Sequence, residues 1–203
     1  QDPRCIAALE GEGAKAEANP IPHFISAAVF GGKHNDVRIL AAGKVTYKGQ
    51  PVACVVAPTR GDADALLQLI EVEYEVLPHV LDGDEALKPG APLLYEADGW
   101  NDNVVIQIPF VEGDVDAALA SADVVIEDEF YNHRYSTQPI ETRGYIGVHD
   151  ARSGNYTFYG AAQNPHPMRW VMSATLGVDE HQIRVIAPNV GGGFGLKMPG
   201  HAE

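Results

Sequence analysis

Gln182-Ile183-Arg184-Val185-Ile186-Ala187-Pro188-Asn189-Val190-Gly191-Gly192-Gly193-Phe194-Gly195-Leu196-Lys197 reads as a strand that runs straight into a glycine loop. Residues 182–187 have the β-branched, alternating composition of a strand. Past its carboxyl end, four glycines surround one aromatic residue. With no Cβ atoms in the way, backbone N–H groups there can approach an anionic or strongly polar group. Ligands of α/β sheets are usually held at that edge. The glycines alone leave two readings open, a ligand cradle and a plain surface turn. Spacing excludes two nucleotide motifs. A P-loop needs Gly-Lys-Ser/Thr, but Leu196 separates Gly195 from Lys197, and Met198 replaces the hydroxyl. The dinucleotide fingerprint would require glycine at position 196, which is leucine.

The residues upstream decide what the strand pairs with. Tyr145-Ile146-Gly147-Val148-His149 and Tyr156-Thr157-Phe158-Tyr159 flank the turn-rich Asp150-Ala151-Arg152-Ser153-Gly154-Asn155, a hairpin by composition. Then comes Gln163-Asn164-Pro165, where Asn164 suits an N-cap and Pro165 the first helical position. Gly177 is placed to end that helix near residue 176. Strand 156–161, helix 165–176 and strand 182–187 thus form a βαβ candidate, with parallel strands if both lie in one sheet. Parallel strands share a carboxyl edge. Gln163 leaves one strand there and the glycine loop leaves the other, so the topology brings an amide side chain and bare N–H groups to one small site.

The amino-terminal part is less legible. Residues 1–36 show no clear pattern, and the Gly/Ala/Glu stretch over 10–20 reads as loop. The apolar run 51–57 reads as a strand buried on both faces. Thr59 can N-cap a helix carrying Ala63, Leu66, Leu67 and Ile70 on one side, with Asp62 as a partial capping box. Residues 71–76 alternate strictly, as a half-buried strand does. Turn-rich sequence follows, so the expected division is a first unit over 1–82, a linker over 83–102 and a second unit over 103–203. In the second unit Asp114 can cap a helix over 115–122, and 124–130 is a strand candidate.

Composition narrows the function classes. The 203 residues carry 14 basic and 28 acidic side chains, a net charge of −14, with no basic cluster for nucleic acid or an anionic membrane face. No apolar run approaches the roughly 20 residues of a membrane-spanning helix. Cys5 and Cys54 are too few and too far apart for a zinc or iron–sulfur site, and the eight histidines lack ligand spacing. No metal bound directly by protein side chains is therefore expected.

These segments, in this order, resemble the large subunit of the molybdenum hydroxylases: the xanthine dehydrogenase, aldehyde oxidase and carbon monoxide dehydrogenase family. Val45-Thr46-Tyr47-Lys48-Gly49-Gln50-Pro51-Val52-Ala53, with Val72-Glu73-Tyr74-Glu75-Val76-Leu77-Pro78, resembles the end of its hammerhead domain. Gly113-Asp114-Val115-Asp116-Ala117-Ala118 and Pro139-Ile140-Glu141-Thr142-Arg143-Gly144 resemble the opening of its cofactor-binding region. Gln163-Asn164-Pro165-His166 and Val190-Gly191-Gly192-Gly193-Phe194-Gly195-Leu196-Lys197 resemble its two early cofactor loops. The fold class implied is α+β, the end of a small α/β hammerhead domain followed by the first part of a mixed α+β molybdopterin-binding domain.

The resemblance implies molybdopterin, with or without a cytosine dinucleotide extension, and a metal held by the pterin's dithiolene sulfurs. It implies hydroxylation of an aldehyde or N-heterocycle with water-derived oxygen. Electrons would pass to 2Fe-2S and FAD groups on partner subunits or domains, in the cytoplasm or, less directly, the periplasm. Gln163 would donate its amide to an oxo ligand of molybdenum. Phe194 and Gly195 would aim backbone N–H groups at the centre, and Gly192 and Gly193 would permit the approach. Read without the family, Gln163 is a capping or solvent-facing amide and Phe194 a core plug. Glu141 reads as a structural partner for a basic or backbone group; Lys197 and His166 carry no assigned role. Met198 stands where purine-oxidising members have a glutamate, which argues against xanthine. The family's catalytic base and the basic residue near molybdenum are not in this sequence. One part of a larger subunit, inactive by itself, is therefore expected, with a non-catalytic assembly module or an unrelated phosphate-binding α+β enzyme as the alternatives.

Overall fold

The computed structural model describes residues 2–22, 31–33, 37–198 and 201. Two small sheets organise them. In the first, β1 (Ala7–Glu10) pairs antiparallel with β2 (Ala53–Val56), Ala7 opposite Val56 and Glu10 opposite Ala53. The stretch expected to be loop after residue 10 is a helix, α1 (Gly11–Glu17). Glu10 caps it, its carboxylate accepting from the N–H groups of Glu12 and Gly13, both at 2.8 Å. This helix buries Gly11 and Ala14, not large side chains. Small residues gain burial by close backbone approach, so the helix leaves no apolar stripe to read.

Helix α2 (Arg60–Leu67) forms where Thr59 and Asp62 place it: Thr59 Oγ1 accepts from the Asp62 N–H at 3.1 Å and donates to its carboxylate at 2.7 Å. Leu66 is its buried anchor. The expected strand over 71–76 forms no ladder, and Val72, Tyr74 and Val76 stay exposed. The same holds for 124–130, where Val124 and Ile126 are exposed. Alternation selects an apolar face, but a ladder needs a partner strand, and neither segment pairs with one among the described residues. β2 itself is half-buried, not buried on both faces.

Between residues 83 and 102 the chain makes a short helix, α3 (Gly83–Ala86), and a single 3-10 turn (Glu96–Asp98). It is tied down at several points. The Lys44 ammonium donates to the carbonyls of Leu93 and Leu94 and to Glu96, and Lys33 sits 5.1 Å over the buried ring of Trp100. Helix α4 (Val115–Ser121) follows, capped by Asp114, whose carboxylate accepts the Ala117 N–H at 2.9 Å.

The second sheet has the order β3 (Tyr145–Asp150), β4 (Asn155–Gly160), β5 (Ile183–Ile186). β3 and β4 form the expected hairpin, Tyr145 opposite Gly160 and Asp150 opposite Asn155. β4 and β5 run parallel, Tyr156 opposite Ile183 through Tyr159 opposite Ile186. The crossover is α5 (Pro165–Leu176), ended by Gly177 in the left-handed region. Pro165 and Pro167 lack N–H groups, so the first turn has few donors left to satisfy. Met168, Val171 and Thr175 recur on one face and are buried. The core joins Phe158, Ala162 and Met168 to Tyr145, Met172, Val185 and Ala187, with the Tyr145 and Phe158 rings stacked at 5.0 Å.

This packing sets the crossover against the sheet and carries a test. Met168→Ala empties space between α5 and β4 and is expected to cost about 2–4 kcal/mol of unfolding free energy. Leu176→Ala, on the exposed side of the same helix, should stay within about 0.5 kcal/mol. Urea titration of the two variants checks the difference; equal costs would contradict this core.

Candidate functional site

The parallel pairing of β4 and β5 has the expected consequence at their shared carboxyl edge. The Gln163 side-chain oxygen accepts two loop N–H groups, those of Gly195 and Lys197, each at 3.0 Å. The Gln163 backbone N–H in turn donates to the Lys197 carbonyl at 3.0 Å. Two donors converging on one atom settle which end of the amide is the oxygen. The Nε2 group is therefore directed away from them, and it has no hydrogen-bond partner among the described residues. A residue whose simplest role was a cap does not cap α5: Asn164 precedes that helix without a side-chain bond, and Gln163 binds the loop.

Contact this close is possible only because of what the loop lacks. A Cβ on Gly193 would lie 2.4 Å from Cδ of Gln163, and one on Gly191 would lie 2.6 Å from Cβ of Glu141. Both are well inside any tolerable separation, so a side chain at either position would push the two segments apart. Gly192 and Gly195 have φ near 90°, and Phe194, between them, is held at φ 50°. A non-glycine residue in that region is uncommon and strained, a feature that clusters at ligand sites. Phe194 is 73 % exposed, so it is not a core plug. Its N–H and that of Gly193 have no hydrogen-bond partner among the described residues. The N–H of Gly195, expected to face a ligand, is engaged by Gln163 instead.

Below the loop lies a charge pair that sequence reading left half-assigned. Lys197 is fully buried, and its ammonium donates to Oε2 of Glu141 at 2.5 Å. The same oxygen accepts the Gly191 N–H at 2.6 Å. The Lys197 hydrogen bond, and next the Gly191 N–H, hold the Glu141 carboxyl below its usual range. Glu141 is thus a partner for both a basic and a backbone group, as its setting suggested. The lysine that completes the pair is 56 residues away in sequence, and no local pattern points to it. His166 is exposed at the start of α5.

The resulting surface offers neutral donors: the Gln163 amide and the N–H groups of Gly193 and Phe194. Such donors suit an acceptor that carries negative charge, because they stabilise it with fixed dipoles and need no facing cation. Among the described residues no three His, Cys, Asp or Glu side chains group to hold a metal ion. The outward amide and main-chain donors fit a cofactor that presents such an acceptor.

Comparisons with known proteins agree on what this arrangement is similar to. The molybdopterin cofactor-binding domain family matches residues 97–203, and the a/b hammerhead domain of aldehyde oxidase and xanthine dehydrogenase matches residues 14–78. The carbon monoxide dehydrogenase large chain of Afipia carboxidovorans is 41 % identical over 172 residues, covering 79 % of this chain and 21 % of its own. The nicotine 6-hydroxylase large subunit of Paenarthrobacter nicotinovorans is 36 % identical, covering 78 % and 19 %. Among solved structures, quinoline 2-oxidoreductase from Pseudomonas putida 86 superposes with a TM-score of 0.83 at 30 % identity, over 96 % of this chain and 24 % of its own. The chain thus spans about a fifth of the length of the curated relatives it matches.

The charge pair makes the loop's anchorage sensitive to acid in a definite direction. The folded state favours the Glu141 carboxylate, so its contribution is complete above the ordinary value of 4.5 and is lost as pH falls through the lower folded value. The stability difference between wild type and Glu141→Gln should be flat between about pH 8 and pH 6 and shrink toward about pH 3. Unfolding titrations across that range check this; a difference that stays constant into acid would contradict the pairing.

Proposed function

We propose that this chain, which belongs to the molybdopterin cofactor-binding domain family of molybdenum hydroxylase large subunits, seats one side of the cofactor through Gln163 and the glycine loop. One observation carries the reading: Oε1 of Gln163 is held by the N–H groups of Gly195 and Lys197, which leaves its Nε2 as an outward donor. Gln163 supplies a directed amide, Phe194 a main-chain N–H, and Gly192 and Gly193 an approach clear of side chains. Gly195 acts at one remove, by orienting Gln163. When bound, the molybdenum–pterin group would supply the redox chemistry of hydroxylation with water-derived oxygen. The chain's residues bind and orient that group.

The division of labour follows from the same reading. Residues 1–82 form the hammerhead part, 83–102 the connection, and 103–203 the beginning of the cofactor-binding part. The substrate is an aldehyde or an N-heterocycle. Relatives named as nicotine 6-hydroxylase and quinoline 2-oxidoreductase support the second, and Met198 stands against a purine. The 41 % identity to a carbon monoxide dehydrogenase large chain favours carbon monoxide as a second reading. The remainder of a large subunit completes the site, and 2Fe-2S and FAD partners take the electrons. The free cysteines Cys5 and Cys54 fit the reducing cytoplasm.

Gln163→Glu tests the reading better than alanine, because the carboxylate keeps an oxygen for Gly195 and Lys197 and replaces only the outward donor. In the complete enzyme with its partners, turnover should fall by roughly 100-fold, the scale of removing one preorganised donor. The thermal midpoint should stay at the wild-type value. Unchanged turnover, or a large fall in the midpoint with normal specific activity, would contradict it.

A further inference from the structure

We propose that Lys197 and Glu141 form a positioning latch that sets how the glycine loop stands against Gln163. Resting on the cofactor-site reading above, this makes the pair a control on cofactor retention and geometry, although neither side chain supplies an outward-facing donor. The starting point is an oddity of burial. Among the described residues, Lys197 is the one large side chain that is completely buried. Burying an ammonium is costly unless it is paired, and even a good buried pair gains little stability over apolar packing. A structural reason for keeping charge there must lie elsewhere, in where the pair holds the backbone.

Lys197 connects three separate segments. Its own N–H and carbonyl are both bonded to Gln163. Its ammonium reaches Glu141, just ahead of β3, and the same Glu141 oxygen takes the Gly191 N–H. One carboxylate oxygen therefore ties both ends of the loop, at Gly191 and at Lys197. The tip between them, with Phe194 in its strained conformation, cannot relax without breaking one of these bonds. Without the latch, the loop's start and end are free to drift, and Gln163 loses the fixed carbonyl and N–H that orient it. Outer partners of a bound centre act in this way, by orienting the groups that touch it.

The test uses the complete enzyme with its partner subunits in five forms: wild type, Lys197→Met, Glu141→Gln, the double variant, and Gln163→Glu as control. Three quantities are read: thermal midpoint, molybdenum retained after prolonged desalting, and the electron paramagnetic resonance signal of partly reduced molybdenum in the folded, loaded fraction. For Lys197→Met, cofactor loss should be about tenfold faster, the low end of what outer partners contribute, and the signal should shift. Glu141→Gln keeps an acceptor for Gly191 and should change both in the same direction, less strongly. The double variant leaves no unpaired charge and should regain much of the midpoint without regaining retention. Recovery of midpoint and retention together would overturn the latch and leave a purely structural pair. So would wild-type retention and signal in Lys197→Met. If Lys197→Met does not fold, Glu141→Gln decides, and an unchanged signal with unchanged retention overturns the proposal. The control separates the two claims. Gln163→Glu with wild-type retention and signal refutes the cofactor seat itself, whereas a changed control beside an unaffected Lys197→Met refutes only the latch.

Discussion

The parallel pairing of β4 with β5 is the constraint from which the site follows. Parallel strands present their carboxyl ends at one edge, and here the two chains leaving that edge carry an amide side chain and a glycine loop. The crossover helix α5 packs Met168 against Phe158 and Ala162, and this holds the strands at the separation the pairing requires. The Gln163 oxygen can then receive two loop N–H groups at 3.0 Å. Antiparallel pairing would have placed these groups at opposite ends of the sheet.

Electrostatically the site has two levels. Its outer level is neutral: an amide and main-chain donors, with Phe194 exposed among them. Its inner level is a charge pair, with the lysine fully buried and the glutamate partly exposed. Separating the levels lets the loop be anchored strongly without placing a bare cation or carboxylate among the donors.

Local chemistry explains what could be read from the residues. Asp114, Thr59 and Gly177 terminate helices where their side chains or φ values demand, and the hairpin around Gly154 is dictated by its turn residues. The βαβ unit was legible for the same reason, and with it the meeting of Gln163 and the loop. What escaped reading depends on partners distant in sequence. Helix α1 packs through Gly11 and Ala14, which give no periodic signal. The alternation at 71–76 and at 124–130 is real, yet no edge among the described residues pairs with either. Lys197 and Glu141 find each other only in the folded chain, and the Gly195 N–H turns to Gln163 because the amide oxygen lies within reach.

The central claim is that Gln163 has one end committed to the loop and the other to the cofactor. A crystal structure of the complete enzyme loaded with molybdopterin measures this directly. The expected result is Oε1 of Gln163 still bonded to Gly195 and Lys197, with Nε2 within hydrogen-bond reach of an oxygen on the cofactor's metal. A cofactor bound elsewhere, or the amide turned so that Nε2 faces the loop, would contradict it.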